Sequence, residues 1–407
     1  MQHLTHVYWY GDGVRKQAPL GYLCLLLSSP TLRSLTLSNV WLRADGTNIG
    51  TVGIGVRELH IDFSHLVQNI EEARPEFLDS HLACFDSLID HLRPQLERLT
   101  LSGCAFRLSS LASGLWPSLR SFTLTRGDAT LDCAWAMFLA QTPMLYSLTV
   151  ALSPRDCWTI LLPVADASEA GLLSRLRHFT ISFPRPEDHV FRSLPGDLQE
   201  LSLRDSPRYY TMRRYYRTTW TSEPLQSSSD VIRIFTVLSA ANLNSLELAY
   251  LEDDKEFQML ALLSQSCPNL RLLELHRYPA TPSFQDAWYK NELRIPVDAI
   301  ADSLAAFECL RVLKLNLSFT DADVGRHKGT IPLDYWDRLA EFIEAQRQTI
   351  VARLPQVKML SILHSSRRGM GWHTWSIRRG DSTGNAGVVY EDIYDETFYG
   401  WKDWDWC

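Results

Sequence analysis

The polar and apolar positions of this chain fall into one recurring phrase: an apolar residue, two variable ones, a second apolar residue, one variable, and a third apolar residue. It occurs as Leu32-Leu35-Leu37, Val56-Leu59-Ile61, Leu96-Leu99-Leu101, Leu119-Phe122-Leu124, Leu145-Leu148-Val150 and Leu176-Phe179-Ile181. It continues as Leu198-Leu201-Leu203, Leu243-Leu246-Leu248, Leu270-Leu273-Leu275, Leu310-Leu313-Leu315 and Val357-Leu360-Ile362. The last two apolar residues of each triplet are two apart, the period of a strand, so they share a face and the residues between them share the other. Between triplets the spacing changes to three and four, which predicts helices. After Pro75, a favoured first-turn residue, Leu78, Leu82, Phe85, Ile89 and Leu92 fall on one face. Asp254 is positioned to cap a helix bearing Phe257, Leu260, Ala261 and Leu263. Pro296 opens another with Ile300, Leu304 and Phe307, and Asp334 precedes the longest, with Trp336, Leu339, Ile343, Ile350 and Leu354. Strand, turn, helix and strand thus alternate, which predicts right-handed crossovers and a parallel sheet.

Eleven copies of L-x-x-L-x-L are the signature of a leucine-rich repeat. Successive copies begin 24, 40, 23, 26, 31, 22, 45, 27, 40 and 47 residues apart. The short intervals match the usual range of about 20–29 residues, and the long ones need extra helix or inserted loops. The predicted fold class is α/β: a leucine-rich-repeat solenoid, or horseshoe, with a parallel concave sheet, outer helices and a C-terminal Trp-rich cap. Residues 1–19 are read as a lead-in, 20–366 as the solenoid with an insert at 204–242, and 367–407 as the cap. Glycines at 369, 371, 380, 384 and 387 punctuate two predicted strands there, Trp372–Arg378 and Val388–Tyr394, before a Trp-rich end. An open solenoid end needs covering. An exposed Trp/Asp peptide that docks into a partner is the other reading of that end.

Leu20–Leu27, preceded by Arg15 and Lys16, loosely mimics a signal peptide. Its continuation, Leu-Leu-Ser-Ser-Pro-Thr-Leu-Arg, parallels Leu262 to Arg271, so we read it as the end of a repeat helix, a turn and the next strand. Three residues beyond each triplet, six repeats place Ser64, Cys104, Ser153, Ser206, Ser318 and Ser365 where many leucine-rich repeats use Asn or Cys to bond the turning backbone.

Composition changes the picture little. The chain is 45% hydrophobic and 21% charged with a net charge of −7, a balance that favours neither nucleic acid nor an anionic membrane. No stretch reaches the roughly 18 apolar residues of a membrane span. Eight cysteines are scattered without a C-x-x-C pair, several at apolar positions, which favours a reducing compartment, cytoplasmic or nuclear, over a disulfide framework.

Candidate functional residues lie in two places. Of the 33 residues expected on the concave face, 15 are Ser or Thr, which suits a solvated sheet, and 11 are charged or His. Those gather in early repeats, at Glu58, His60, Asp62 and Arg98, and in late ones, at Glu247, Glu274, His276 and Lys314. The second place is the insert, where Arg204, Arg208, Arg213, Arg214 and Arg217 interleave with Tyr209, Tyr210, Tyr215, Tyr216 and Trp220. Arginine with aromatics suits a protein hot spot, phosphate groups or stacked single-stranded nucleic acid, and equally a loop whose rings pack on the flank. Signals for catalysis are poor. Gly50 to Gly55 lacks the Lys-Ser/Thr of a phosphate loop, His60 and His65 are five apart with no H-E-x-x-H, and no G-x-S-x-G occurs. We therefore expect no catalytic residues, metal or cofactor.

The irregular repeat lengths, the cysteine-bearing copy Leu-Thr-Leu-Ser-Gly-Cys at 99–104 and the recurrent C/S-P-x-L-R-x-L-x-L phrases resemble the leucine-rich regions of fungal F-box proteins. The resemblance covers roughly 20–366. It implies a non-enzymatic role, gripping a protein substrate for a cullin-type (SCF) ubiquitin ligase. Residues 1–19 are too few for an F-box, so the ligase adaptor is an expected partner only if that module is supplied elsewhere. The expected partner is a protein, held in the concave face or at 204–220; the alternative is an RNA-binding module built on the Arg/Tyr insert.

Overall fold

In the computed structural model the described residues are 4–11, 17–45, 55–63, 75–102, 106–125, 132–152, 160–163, 171–206, 225–278, 295–317, 335–366, 369–379 and 388–393. They fall into two compact units, one built from Met1–Pro195, Arg204–Tyr215 and Trp404–Cys407, the other from Gly196–Leu203 and Tyr216–Asp403. Both are mixed α/β with a long run of parallel strands.

In the first unit the strands are β1 (His6–Tyr10), β2 (Gln17–Pro19), β3 (Ser34–Ser38), β4 (Trp41–Arg43), β5 (Glu58–Asp62), β6 (Arg98–Ser102), β7 (Ser121–Thr125), β8 (Ser147–Ala151) and β9 (His178–Ser182). They stand side by side in the order β1-β3-β5-β6-β7-β8-β9, all parallel, with β2 and β4 as a separate parallel pair. The strand β1 lies within the expected lead-in and pairs in the same register as the repeats, Val7 opposite Leu35 and Trp9 opposite Leu37.

The second unit holds β10 (Glu200–Arg204), β11 (Gln226–Ser227), β12 (Ser245–Leu251), β13 (Leu272–Tyr278), β14 (Val312–Asn316), β15 (Met359–Ser366), β16 (Gly369–Arg379) and β17 (Val388–Ile393). The run β10-β12-β13-β14-β15 is parallel, β11 pairs β12, and β16 and β17 continue antiparallel from β15. The two tail strands are therefore present where the pattern placed them, with slightly different ends.

Every residue of the eleven triplets is at most 3% exposed. The apolar face packs on the connecting helices. Phe122 of β7 sits 4.7 Å from Phe138 of the Trp135–Ala140 helix, and Phe179 of β9 sits 6.4 Å from Phe191 of Val190–Ser193. Burying one Leu or Phe side chain contributes about 1.5–3 kcal/mol, so the triplets are the main favourable term in each unit.

Two further devices tie several of the repeats to the one before. The first uses the residue between the turn and the first apolar position. Thr31 donates to the Leu4 carbonyl at 3.0 Å, Ser118 to Pro94 at 3.1 Å, Asn242 to Gly196 at 2.8 Å, Asn269 to Ala241 at 2.9 Å and Gln356 to Phe307 at 3.2 Å. The second is an aspartate that follows one strand and caps the helix of the preceding repeat. Asp45 accepts from Gly21 N at 2.8 Å, Asp132 from Ser109 N at 2.9 Å and Asp253 from Ser229 N at 3.0 Å; Asp188 accepts in the same way from Leu161 N and Leu162 N at 2.7 and 3.0 Å, within the non-helical stretch 160–163. Caps of this kind are worth about 1 kcal/mol each. Of the six slots expected to bond the turning backbone, Ser206 is buried and donates to the Ala151 carbonyl at 3.2 Å. Ser64, Cys104, Ser153 and Ser318 lie outside the described residues, as does the Ser365 side chain.

The helices follow the expected pattern with one correction. Leu20–Leu27, Pro75–Leu92, Val297–Leu304 and Tyr335–Arg353 are helical, with Ile300, Leu304, Leu339, Ile343 and Ile350 inward. In the helix Glu256–Ser266, however, Asp254 is not the cap and Phe257 and Ala261 are exposed, while Glu256, Met259, Leu260 and Leu263 are buried. Glu256 meets two buried partners, described below, on the same inward face as Met259, Leu260 and Leu263.

His81 of Pro75–Leu92 is a core histidine. It sits 5.2 Å from Trp41 and 5.1 Å from Phe63, and its Nδ1 accepts from Leu42 N at 3.1 Å. Burial pushes its pKa down to about 4. The folded form therefore resists a proton that the unfolded chain takes up near pH 6.5. Stability is intact above that pH and declines between 6.5 and 4 by about 3 kcal/mol from this group alone. Urea denaturation at pH 7 and pH 4 should show His81→Phe losing correspondingly less on acidification than the native chain. An identical acid sensitivity in both would refute the assignment.

Candidate functional site

The parallel register lines up one side chain per strand on the polar face. In the second unit the row reads Ser202, Glu247, Glu274, Lys314, Ser361 and Thr374, each a register partner of the next. Ser202 Oγ donates to Glu247 Oε2 at 2.6 Å. Lys314 Nζ is 3.4 Å from Glu274 Oε2 and 5.6 Å from the centre of the Trp372 ring. Ser361 and Thr374 share a hydroxyl hydrogen bond of 2.8 Å.

One step along the strand lies a second row, Ala249, His276 and Asn316. His276 is fully buried. Its Nε2 is 2.8 Å from Glu274 Oε1, its Nδ1 is 3.3 Å from Asn316 Nδ2, and Trp372 meets it edge-on at 5.7 Å. All four late-repeat candidates, Glu247, Glu274, His276 and Lys314, are thus brought into one patch roofed by a tryptophan. Glu247, Glu274 and His276 each present a ligand atom within 4.8 Å of the others.

Beneath the patch, on the apolar face, a buried polar network joins the same two strands. Tyr250 and Arg277 are register partners on β12 and β13. Tyr250 OH donates to Glu256 Oε1 at 2.8 Å, Arg277 Nε donates to the same oxygen at 2.7 Å, and Arg277 also pairs with Glu252. Burial lifts the Tyr250 hydroxyl well above its ordinary pKa, and Glu256 lifts it further. Burial opposes the Arg277 charge, but the Glu256 hydrogen bond and the two carboxylates outweigh it and raise its pKa. The network fixes β12, β13 and the Glu256–Ser266 helix as one piece, and so fixes Glu247, Glu274 and His276 above it.

The early-repeat candidates are arranged more loosely. Arg98 lies 3.5 Å from Glu58, its register partner, and both are solvent-exposed, so the pair contributes little. His60 stands between Thr36 and Thr100 in its row, and Asp62 between Ser38 and Ser102. Partial burial lowers the His60 pKa and Asp62 pulls it back up. Arg204 closes β10 with Nε 3.4 Å from the Asp205 carbonyl. Arg208, Tyr209, Tyr210, Arg213, Arg214 and Tyr216 lie outside the described residues.

Trp372, Tyr250, Glu252, Glu256 and Arg277 take part without having been expected. A signal for the last two exists in the sequence. Arg277 falls at the inward parity set by Leu273 and Leu275, and Glu256 at three, four and seven residues before Met259, Leu260 and Leu263. Opposite charges at core positions of consecutive elements point to a buried pair.

No family model matches the chain, and no curated protein matches it. Among solved structures, an internalin from Listeria monocytogenes is similar at 14% identity and a TM-score of 0.29, over 77% of this chain and 74% of that one. A likeness of that degree decides nothing about role. Among the described residues no helix is long and apolar enough to cross a membrane.

Removing one member of a buried ionic network leaves the other charge stranded, at a cost of about 3–5 kcal/mol. Glu256→Ala should lose that much in chemical denaturation, and a loss below about 1 kcal/mol would show that Arg277 does not need it.

Proposed function

We propose that the eleven repeats form one leucine-rich-repeat solenoid, a horseshoe over 20–366 with lead-in 1–19 and a Trp-rich hairpin cap at 367–407. Its concave sheet holds a protein partner and performs no chemistry on it. The observation that carries this reading is the row Ser202-Glu247-Glu274-Lys314, half-exposed polar groups set by backbone register. Groups fixed in this way lose little conformational entropy on binding. Trp372, itself buried, packs beside them against Lys314 and His276 and steadies the row. His60, Asp62, Arg98 and Arg204, with the Arg/Tyr insert, extend the candidate surface.

The finer reading is the substrate-recognition part of an SCF-type ubiquitin ligase, with the F-box module supplied elsewhere. The resemblance of the S-P-x-L-R and C-P-x-L-R phrases supports it. A reducing compartment, cytoplasm or nucleus, suits Cys24, Cys84 and Cys267, which are free and buried.

Affinity capture compares the native chain, a face variant carrying Glu247→Lys and Lys314→Glu, and a control with Phe257→Lys on an exposed helix position. The expected partner is retained by the control and weakened at least about tenfold, 1.4 kcal/mol, in the face variant. A partner held equally by all three would overturn the assignment of the face. Binding to the cullin-ligase adaptor, alone or with an F-box supplied in trans, tests the ligase version, which fails if both are negative. If the bound species is RNA, its affinity falls steeply with salt and is lost on Arg213→Ala with Arg214→Ala.

A further inference from the structure

We propose that Glu247, Glu274 and His276 form a site for one divalent transition-metal ion of zinc-like character on the polar face of β12 and β13. The inference goes beyond partner binding and stands or falls separately from it.

The donor set is the first support. Glu247 and Glu274 are register partners on adjacent parallel strands, and His276 follows Glu274 by two residues on the same face. One donor atom from each lies within 4.8 Å of the others, and the Glu274–His276 pair is already at 2.8 Å. Donors bound at about 2.0–2.2 Å to one ion stand roughly 3.3 Å apart, so rotation of the two flexible Glu side chains is all the closure required. The imidazole sets this group apart from a plain acidic patch. Magnesium and calcium favour all-oxygen shells, whereas two carboxylates with one neutral imidazole suit zinc and its neighbours.

The second support is the outer layer. Two of the candidate ligands are held by groups that are not themselves ligands: Glu247 by Ser202, and His276 by Asn316 at its other ring nitrogen. Metal-binding imidazoles and carboxylates are held in this way, and such partners orient the ligands and tune their basicity. The Asn316 amide can present its oxygen to Nδ1–H by exchanging its two ends, which leaves the Nε2 lone pair towards the carboxylates. Burial of His276 and the Trp372 roof at 5.7 Å lower the local dielectric and strengthen the attraction of two carboxylates for a dication.

Lys314 gives the proposal its sharpest consequence. Its ammonium neutralises Glu274 and so competes with a bound cation. Replacing it with a neutral side chain of similar length should tighten metal binding by about tenfold.

The full chain, stripped with a chelator, is titrated with Co2+ by visible absorption and then challenged with Zn2+ by calorimetry. The expected result is one equivalent of Co2+ showing d–d bands without a thiolate charge-transfer band, and displaced by Zn2+. Glu247→Gln and Glu274→Gln each weaken it at least tenfold while circular dichroism stays native, and Lys314→Met strengthens it. Because His276 is buried and its replacement can unfold the strand, the two glutamine variants carry the test. Absence of saturable binding, a thiolate band, or binding unchanged in both glutamine variants would overturn the site. Partner capture that survives such a result leaves the binding face intact and removes the metal alone.

Discussion

Each repeat has an apolar face it cannot bury alone, and the structure answers this by holding parallel register from one strand to the next. Leu246 opposite Leu273, and Leu273 opposite Leu313, is the condition under which every triplet is covered by its neighbours. A slip of one residue would turn a whole triplet to the other side of the sheet. Once the apolar side is registered, the polar side has no freedom left. The same pairing that stacks the leucines aligns Ser202, Glu247, Glu274 and Lys314.

The links between repeats serve that register from its edges. In five repeats the residue ahead of the first apolar position reaches back to a preceding carbonyl, and in three an aspartate after a strand reaches back to a preceding helix. Register is therefore held from three sides: apolar packing, turn and cap. The buried Tyr250–Glu256–Arg277 network adds a polar lock at the two strands that carry Glu247, Glu274 and His276. Breaking such a network strands a buried charge, so its members hold one another in a single arrangement.

Much of this was legible in the sequence because the signal repeats. One L-x-x-L-x-L match is weak, but eleven at helix-compatible intervals leave few alternatives, and the triplets lie where the period placed them. Parity places Glu247, Glu274, His276 and Lys314 on the polar face, and their charged or imidazole side chains set them apart from its Ser/Thr majority. Their meeting in one patch depends on register between strands 27 and 40 residues apart, which no local pattern encodes. The helix at Glu256–Ser266 shows the opposite failure. The pattern expects Phe257 inward, whereas the helix buries Glu256 with Met259, Leu260 and Leu263, and Glu256 pairs there with Arg277. The pattern places Trp372 on a tail strand, and its reach over Lys314 and His276 follows only from the antiparallel return of β16.

Cysteine cross-linking measures the register most directly. Ser121 and Ser147 are register partners on β7 and β8, facing the same side. A Ser121→Cys, Ser147→Cys chain should form that disulfide readily under mild oxidation, since neighbouring strands place their Cα atoms within bridging range, about 4.4–6.8 Å. A Ser121→Cys, Ala151→Cys chain, offset by four residues, should not, with peptide mapping identifying the linked pair in each case. Equal linkage in the two chains, or preference for the offset pair, would contradict the parallel register on which the account of the stacked triplets rests.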